Sequence, residues 1–213
     1  MLIMQRYAKV FLQATVLAKI LDDDTYLYIL RHGADFPCLF EVTSLSTKFK
    51  GNTLIETFDE LVKFGVRTLG GDVFDSCTNL ASVNTTNITS VSSGSASGNG
   101  YSPFGYSKVT RIELPNITSI GNYIGVNLSA VWVLGENLST VYQYSFRTRS
   151  SGARSSTYLI YATTPPTLAS GTASASSFTG YIYVPDESYD DYIASSSWSP
   201  IKARIKKMSA YTG

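Results

Sequence analysis

The chain has 213 residues, which at about 150 residues per domain allows one domain and an appendage. Seventeen basic residues against sixteen acidic ones give a net charge of +1, which excludes a nucleic-acid binder held by phosphate neutralisation. Apolar residues at 44% exclude wholesale disorder, and charged residues at 15% fall below the roughly 25% of an ordinary domain.

The first 21 residues form an amphipathic pattern. Tyr7, Val10, Phe11, Ala14, Leu17 and Leu21 recur at three- and four-residue steps, with Arg6, Lys9 and Gln13 on another face. Charges scattered through this stretch separate it from a membrane span, which needs about 20 apolar residues. The pattern predicts a helix of the mature protein; an atypical export signal is the alternative. Asp22-Asp23-Asp24 end it, and Thr25–Leu30 then read as a strand running into Arg31-His32-Gly33.

A strand entering Arg-His-Gly resembles the phosphate pocket of histidine phosphatases, whose chemistry also uses a second histidine. His32 is the only histidine in the chain, so a turn after an edge strand is the better reading. The same count removes a Ser/His/Asp triad, a Cys/His dyad and a His-based metal cage. Cys38 and Cys77 sit among apolar residues and read as small core hydrophobes, with a single disulfide as the alternative. No Cys/His set suits zinc, and no Gly-rich phosphate cradle is present, so neither metal nor cofactor is expected.

From Leu80 onward the chain repeats itself. Leu80-x-x-Val83, Val109-x-x-Ile112-x-Leu114 and Leu128-x-x-Val131-x-Val133 each precede an Asn-apolar-Thr/Ser-Ser/Thr-apolar phrase, at Asn87, Asn116 and Asn137. Tyr158-x-Ile160 and Ile182-x-Val184 keep the strand alone. The steps from Leu80 to Val109 (29 residues) and on to Leu128 (19) bracket a leucine-rich-repeat period. Such a chain buries alternate side chains of one short strand per turn and closes its core by stacking turns. Five Asn-x-Ser/Thr triplets, at Asn84, Asn87, Asn116, Asn127 and Asn137, fall at repeat corners and read as turn chemistry rather than glycan acceptors. Ser92–Gly100 and Arg147–Ser156 read as loops.

The expected fold is therefore α+β leaning to β, a leucine-rich-repeat solenoid with short strands. Residues 1–48 form a separate helix and strand segment, with a strand at Leu39–Val42, for anchoring, assembly or capping. Residues 49–213 form the solenoid, closed by a helical cap over 181–213. In that cap Pro185 to Ser195 predict a helix with Asp186, Glu187, Asp190 and Asp191 early, where acids suit the dipole. Tyr189, Tyr192 and Ile193 face inward, and Lys202, Arg204, Lys206 and Lys207 make a solvated basic turn.

Residues between the inward steps point out. They are Ser82 and Asn84, Arg111 and Glu113, Ala130 and Trp132, Thr157, Leu159 and Tyr161, then Tyr181 and Tyr183. Arg111, Glu113, Trp132, Tyr161, Tyr181 and Tyr183 are the candidate binding face. Exposed aromatic rings on a rigid sheet suit sugar stacking or packing against a protein; covering by another subunit is the alternative.

The phrase Val66-Arg-Thr-Leu-Gly-Gly-Asp-Val-Phe-Asp-Ser-Cys-Thr-Asn-Leu80 resembles the V-x-x-I-G-x-x-A-F-x-x-C-x-x-L unit of BspA-type leucine-rich repeats. Tyr181 to Tyr189, continuing through Trp198 to Ile205, resembles the closing segment of that family. Phe49 to Leu61 is similar to the entry segment of versions from gut Bacteroidales and their phages. The likeness spans about residues 49–208. It implies a non-enzymatic structural or binding module of a phage particle, a tail fibre or tail tip in the virion. Its partners would be other virion proteins or copies of itself, as a homo-oligomer, and a bacterial surface glycan or protein. No membrane insertion is expected. The alternative is a bacterial cell-surface or secreted adhesin of the same family, and a histidine phosphatase is the remote third.

Overall fold

The computed structural model describes residues 44–45, 49–63, 65–93, 102–142, 144–146, 156–169, 178 and 180–213. The expected helix over 1–21, the strands at Thr25–Leu30 and Leu39–Val42, Arg31-His32-Gly33, and Cys38 lie outside them, as do residues 94–100 and 147–155 of the two expected loops.

In chain order the first elements are β1 (Ser44–Leu45), β2 (Thr57–Phe58), helix α1 (Glu60–Lys63), β3 (Thr68–Leu69), β4 (Ser82–Val83) and β5 (Ser90–Val91). Next come β6 (Arg111–Leu114), β7 (Ser119–Ile120), β8 (Val131–Leu134), β9 (Thr140–Val141), β10 (Thr157–Ile160) and β11 (Thr167–Leu168). The last are β12 (Ile182–Val184), helix α2 (Tyr189–Ala194) and β13 (Ile205–Lys207). One ladder has six strands in the order β1-β3-β5-β7-β9-β11, another has five in the order β13-β12-β10-β8-β6, and β2 pairs with β4. Every described pairing is parallel. The described chain is thus α/β leaning to β, where the sequence suggested α+β. Strand β1 comes from the segment before residue 49 and joins the first ladder through Thr68 and Leu69.

The Asn-apolar-Thr-Ser-apolar phrases, taken from sequence as corners, supply three strands of the six-stranded ladder, β5, β7 and β9. Each contributes a hydroxyl residue and then an apolar one, so Val91, Ile120 and Val141 point into the core while the hydroxyls stay half-buried. The exposed hydroxyls one residue earlier tie successive turns together: Thr118 donates to Thr89 O (2.9 Å), and Ser139 to Thr118 O (3.1 Å). The corner asparagines behave as turn chemistry requires. Asn84 Oδ1 accepts from the Thr86 N–H and hydroxyl, and Asn116 Nδ2 donates to Thr86 O one turn back.

The longer strands carry the core. Ile112, Trp132, Tyr158, Ile182 and Ile205 are register partners across the five-stranded sheet, and all are buried. An aromatic column runs along this line. Phe74 stacks on Phe104 (5.7 Å), Phe104 meets Trp132 (5.9 Å), and Trp132 stacks on Tyr158 (6.2 Å). Such pairs each add roughly 0.5–1.5 kcal/mol beyond the burial of their area.

Two of the outward assignments are corrected here. Trp132 is 0% exposed and belongs to this column, and Ala130 is buried as well. In β8 it is Val131 and Val133 that are half-exposed. The shift is a single residue, and in a strand a one-residue slip exchanges the two faces.

At the C-terminal end a 3-10 turn (Asp186–Ser188) leads into α2, as the acid-rich start suggested. Tyr192 is fully buried and donates to Ala162 O (2.8 Å); its ring meets Trp198, whose Nε1 donates to Pro166 O (2.9 Å). Tyr189 and Ile193 pack against the core from its edge. Beyond a 3-10 turn at Ser199–Arg204 the expected basic turn is instead strand β13, paired with β12.

Candidate binding face

The parallel register of the five-stranded sheet decides which side chains meet on its outer side. Glu113, Val133, Leu159, Tyr183 and Lys206 form one outward row. Arg111, Val131 and Thr157 form a second row, which Tyr181 continues. Neighbouring members lie about 4.8 Å apart, the strand spacing.

Of the six residues expected on this face, Arg111, Glu113, Tyr161 and Tyr181 are exposed on it. Trp132 is not there. Tyr183 points outward, yet it is only 9% exposed, so its expected exposure is corrected too. Leu159 also sits in the outward row and is 3% exposed. Neither belongs to the inner hydrophobic cluster. Tyr183 is covered by Tyr211, whose ring meets it edge-on at 5.1 Å. The segment carrying Tyr211 is pinned by Asp186, whose carboxylate accepts from the Ser209 N–H (2.9 Å). Hydrogen bonds from the Ser209 side chain and then its backbone hold the Asp186 carboxyl below the usual range.

The electrostatics come from both ends of the sheet. Arg111 Nε donates to Glu113 Oε1 at 2.7 Å along its own strand. That hydrogen bond, and after it the Glu113 charge and the nearby Tyr211 and Tyr161 phenols, hold the guanidinium above its ordinary value. At the other end Lys206 Nζ stands 3.7 Å above the centre of the Tyr181 ring, and Arg204 Cζ lies 5.7 Å from it. A cation over a ring face is attracted by the negative centre of the π system. Tyr181 and Tyr183 stand 6.4 Å apart with tilted planes, so the rings form a surface rather than a stack.

Sequence reasoning placed Leu159 on this side and missed Lys206 and Tyr211 as parts of the surface. The signal for Lys206 was present: Ile205-Lys206 alternates apolar and polar as a strand does, and Ile205 is buried. Tyr211 had none, because nothing local to it specifies contact with Tyr183.

The exposed rings of Tyr161 and Tyr181 offer contact area for an amphipathic ligand. Among the described residues no group of three or more His, Cys, Asp and Glu side chains is placed to hold a metal ion, and no helix is long and apolar enough to cross a membrane. Comparison with known proteins finds no matching family model and no matching curated protein.

Proposed function

We propose that the chain is a leucine-rich-repeat solenoid serving as a non-enzymatic binding and structural module of a phage particle, a host-facing tail fibre or tail tip. The observation that carries the solenoid reading is the alternation of the two main ladders along the chain. From β5 to β12 each turn adds one two-residue strand to one ladder and one longer strand to the other. The binding role is supported by the outer face, where Tyr161 (43% exposed) and Tyr181 (37%) stand on a sheet locked by its core. The placement in a virion is supported by the likeness of residues 49–61 to the entry segment of repeat proteins from gut Bacteroidales and their phages. In such a particle its partners would be other virion proteins or further copies of itself.

Mass spectrometry of purified virions tests this reading, and the protein is expected among their constituents. Absence from virions with detection on bacterial outer membranes would transfer it to the adhesin class. Binding of purified protein to host cells is expected to fall when Tyr161 and Tyr181 are both replaced by alanine. Phosphatase activity that is lost in His32→Ala would favour the enzyme reading.

A further inference from the structure

We propose that the segment Met208–Gly213 is a strap across the outer face of the five-stranded sheet, closed by the Tyr211 ring and latched at Asp186, and that its release opens an apolar floor for binding. This rests on the proposed binding function and adds a control to it. Val131, Val133, Leu159 and Tyr183 put apolar side chains in the outward rows of the sheet. Leu159 and Tyr183 are nonetheless only 3% and 9% exposed, and neither belongs to the inner core. They are therefore covered from outside, and Tyr211 is the ring that meets Tyr183 there. The Tyr211 phenol also bears on the Arg111 guanidinium in β6, the far edge of the sheet. A ring that meets β12 and acts on β6 stands over β10 and β8, the strands that carry Leu159 and Val133.

The cover is lightly held. Within residues 208–213, Met208 and Tyr211 are half-buried and the other four are exposed. Tyr211 N–H donates to Met208 O (3.0 Å), a bond inside the segment itself. Asp186 ties the segment to the preceding cap, and it is an exposed carboxylate accepting from the Ser209 N–H. Exposed charged contacts add little stability, and segments with few buried contacts open locally at far lower cost than the whole fold. The floor beneath is different. Trp132, Tyr158 and Ile182 lock its strands from the inner side, so opening the strap leaves the floor in place.

Opening changes what the face can do. Tyr161 follows β10 and Tyr181 precedes β12, so the two exposed rings stand at opposite ends of neighbouring parallel strands. With the strap closed, covered ground separates them. With it open, Leu159 and Tyr183 join them into one apolar surface, the kind that marks an interaction site. A ligand that needs this floor binds with an apparent affinity scaled by the fraction of molecules that are open, so loosening the strap strengthens binding.

Anilinonaphthalene sulfonate, a dye that brightens on exposed apolar surface, tests the strap on the full chain, together with hydrogen exchange at the Ser209 amide and binding to host cells. Asp186→Ala and Tyr211→Ser are each expected to raise dye emission about threefold while the cooperative thermal melt is kept. Asp186→Ala is expected to speed exchange at Ser209 about threefold or more. Cell binding is expected to rise about threefold in both variants. Tyr142→Ala, which removes an exposed tyrosine beyond β9, is expected to change none of these. Dye emission at the parent level in Tyr211→Ser, or unchanged Ser209 exchange in Asp186→Ala, would overturn the strap. Brighter dye with loss of the cooperative melt would make the segment part of the core structure and overturn it equally. Dye and exchange rising with cell binding unchanged would overturn the gating. Cell binding indifferent to replacing both Tyr161 and Tyr181 would overturn the binding function itself, while dye and exchange still decide the strap.

Discussion

Gly125 lies directly against the hydroxyl of Tyr158, so that a methyl group on its α-carbon would overlap the phenol oxygen. The two come from successive turns, and the ring of Tyr158 reaches across the core because Gly125 leaves room. Among the described residues the hydroxyl has no hydrogen-bond partner, and Ser156 beside it is engaged with Leu128 O and the Ala130 N–H. A buried hydroxyl without a partner is a cost, so removing it is cheap. Gly125→Ala is expected to destabilise by about 1–3 kcal/mol, as overpacking does. Tyr158→Phe is expected to be neutral or slightly stabilising, and it should relieve most of the Gly125→Ala defect. Urea denaturation of the two single variants and the double variant measures this; additive effects would show that the contact is not the cause.

Ile112 and Trp132 sit opposite one another in the register, and both are inward. Ile112→Asp is expected to unfold the protein, because a carboxylate buried without a partner costs several kcal/mol against a total stability of roughly 5–15. Trp132→Ala is expected to cost about 3–5 kcal/mol. Tyr161→Ala, on the exposed face, is expected to stay within about 0.5 kcal/mol of the parent. Circular dichroism melts of the three variants check the order, and a Trp132→Ala protein as stable as Tyr161→Ala would mean that β8 is turned the other way.

The strand position of β6 was legible because its neighbours differ in polarity. Arg111 and Glu113 alternate with Ile112 and Leu114, so period two selects a face. In β8 the run Val131-Trp132-Val133-Leu134 is apolar throughout, and alternation gives no choice between its faces. The spacing from Leu128 then suggested Val131 and Val133, whereas packing of Phe104 and Tyr158 on either side of Trp132 decides for the larger side chain. The binding face was legible at Arg111, Glu113, Tyr161 and Tyr181 for the same reason. The covering of Tyr183 by Tyr211 is a contact between segments that no local pattern encodes. The six-stranded ladder was hidden in plain repetition, since two-residue strands are too short for any periodicity to mark them.

Asp75 gives the stability a dependence on pH. It is 1% exposed, its Oδ2 accepts from the Ser76 hydroxyl (3.0 Å), and among the described residues its Oδ1 has no hydrogen-bond partner. Burial raises its pKa above 3.8, against smaller opposing effects from the Ser76 hydroxyl, the Ser102 backbone and the Lys50 charge. The folded state therefore keeps a proton that the unfolded chain releases first. The resulting stabilisation is complete below pH 3.8 and is lost as the pH rises through the higher folded-state value. Asp75→Asn stays neutral throughout, so the melting temperature of the parent relative to this variant is expected to fall across that window and then level off. A constant difference from pH 3 to pH 8 would show that Asp75 titrates as in the unfolded chain.

Tyr106 stands at a corner where the backbone turns left-handed, with φ 59°, between Ser76 (62°) and Asn127 (59°) at the same corner of the adjoining turns. The column is fixed by hydrogen bonds: Ser76 N–H donates to Gly105 O (2.7 Å) and Tyr106 N–H to Asn127 O (2.9 Å). For an ordinary L-residue this conformation costs roughly 1–2 kcal/mol, and asparagine is among the few that tolerate it. Asn127 is the local precedent. The Tyr106 residue is 38% exposed, so the burial of the rest offsets part of that cost. Tyr106→Asn is expected to raise stability by up to about 1 kcal/mol, or roughly 2–4 °C in Tm for a chain of this size. Tyr106→Val keeps the strain and adds a β-branch, and is expected to melt below the parent. A differential scan of the three proteins decides it. A Tyr106→Asn variant melting below the parent would mean that the ring, rather than the backbone, sets the energy of this corner.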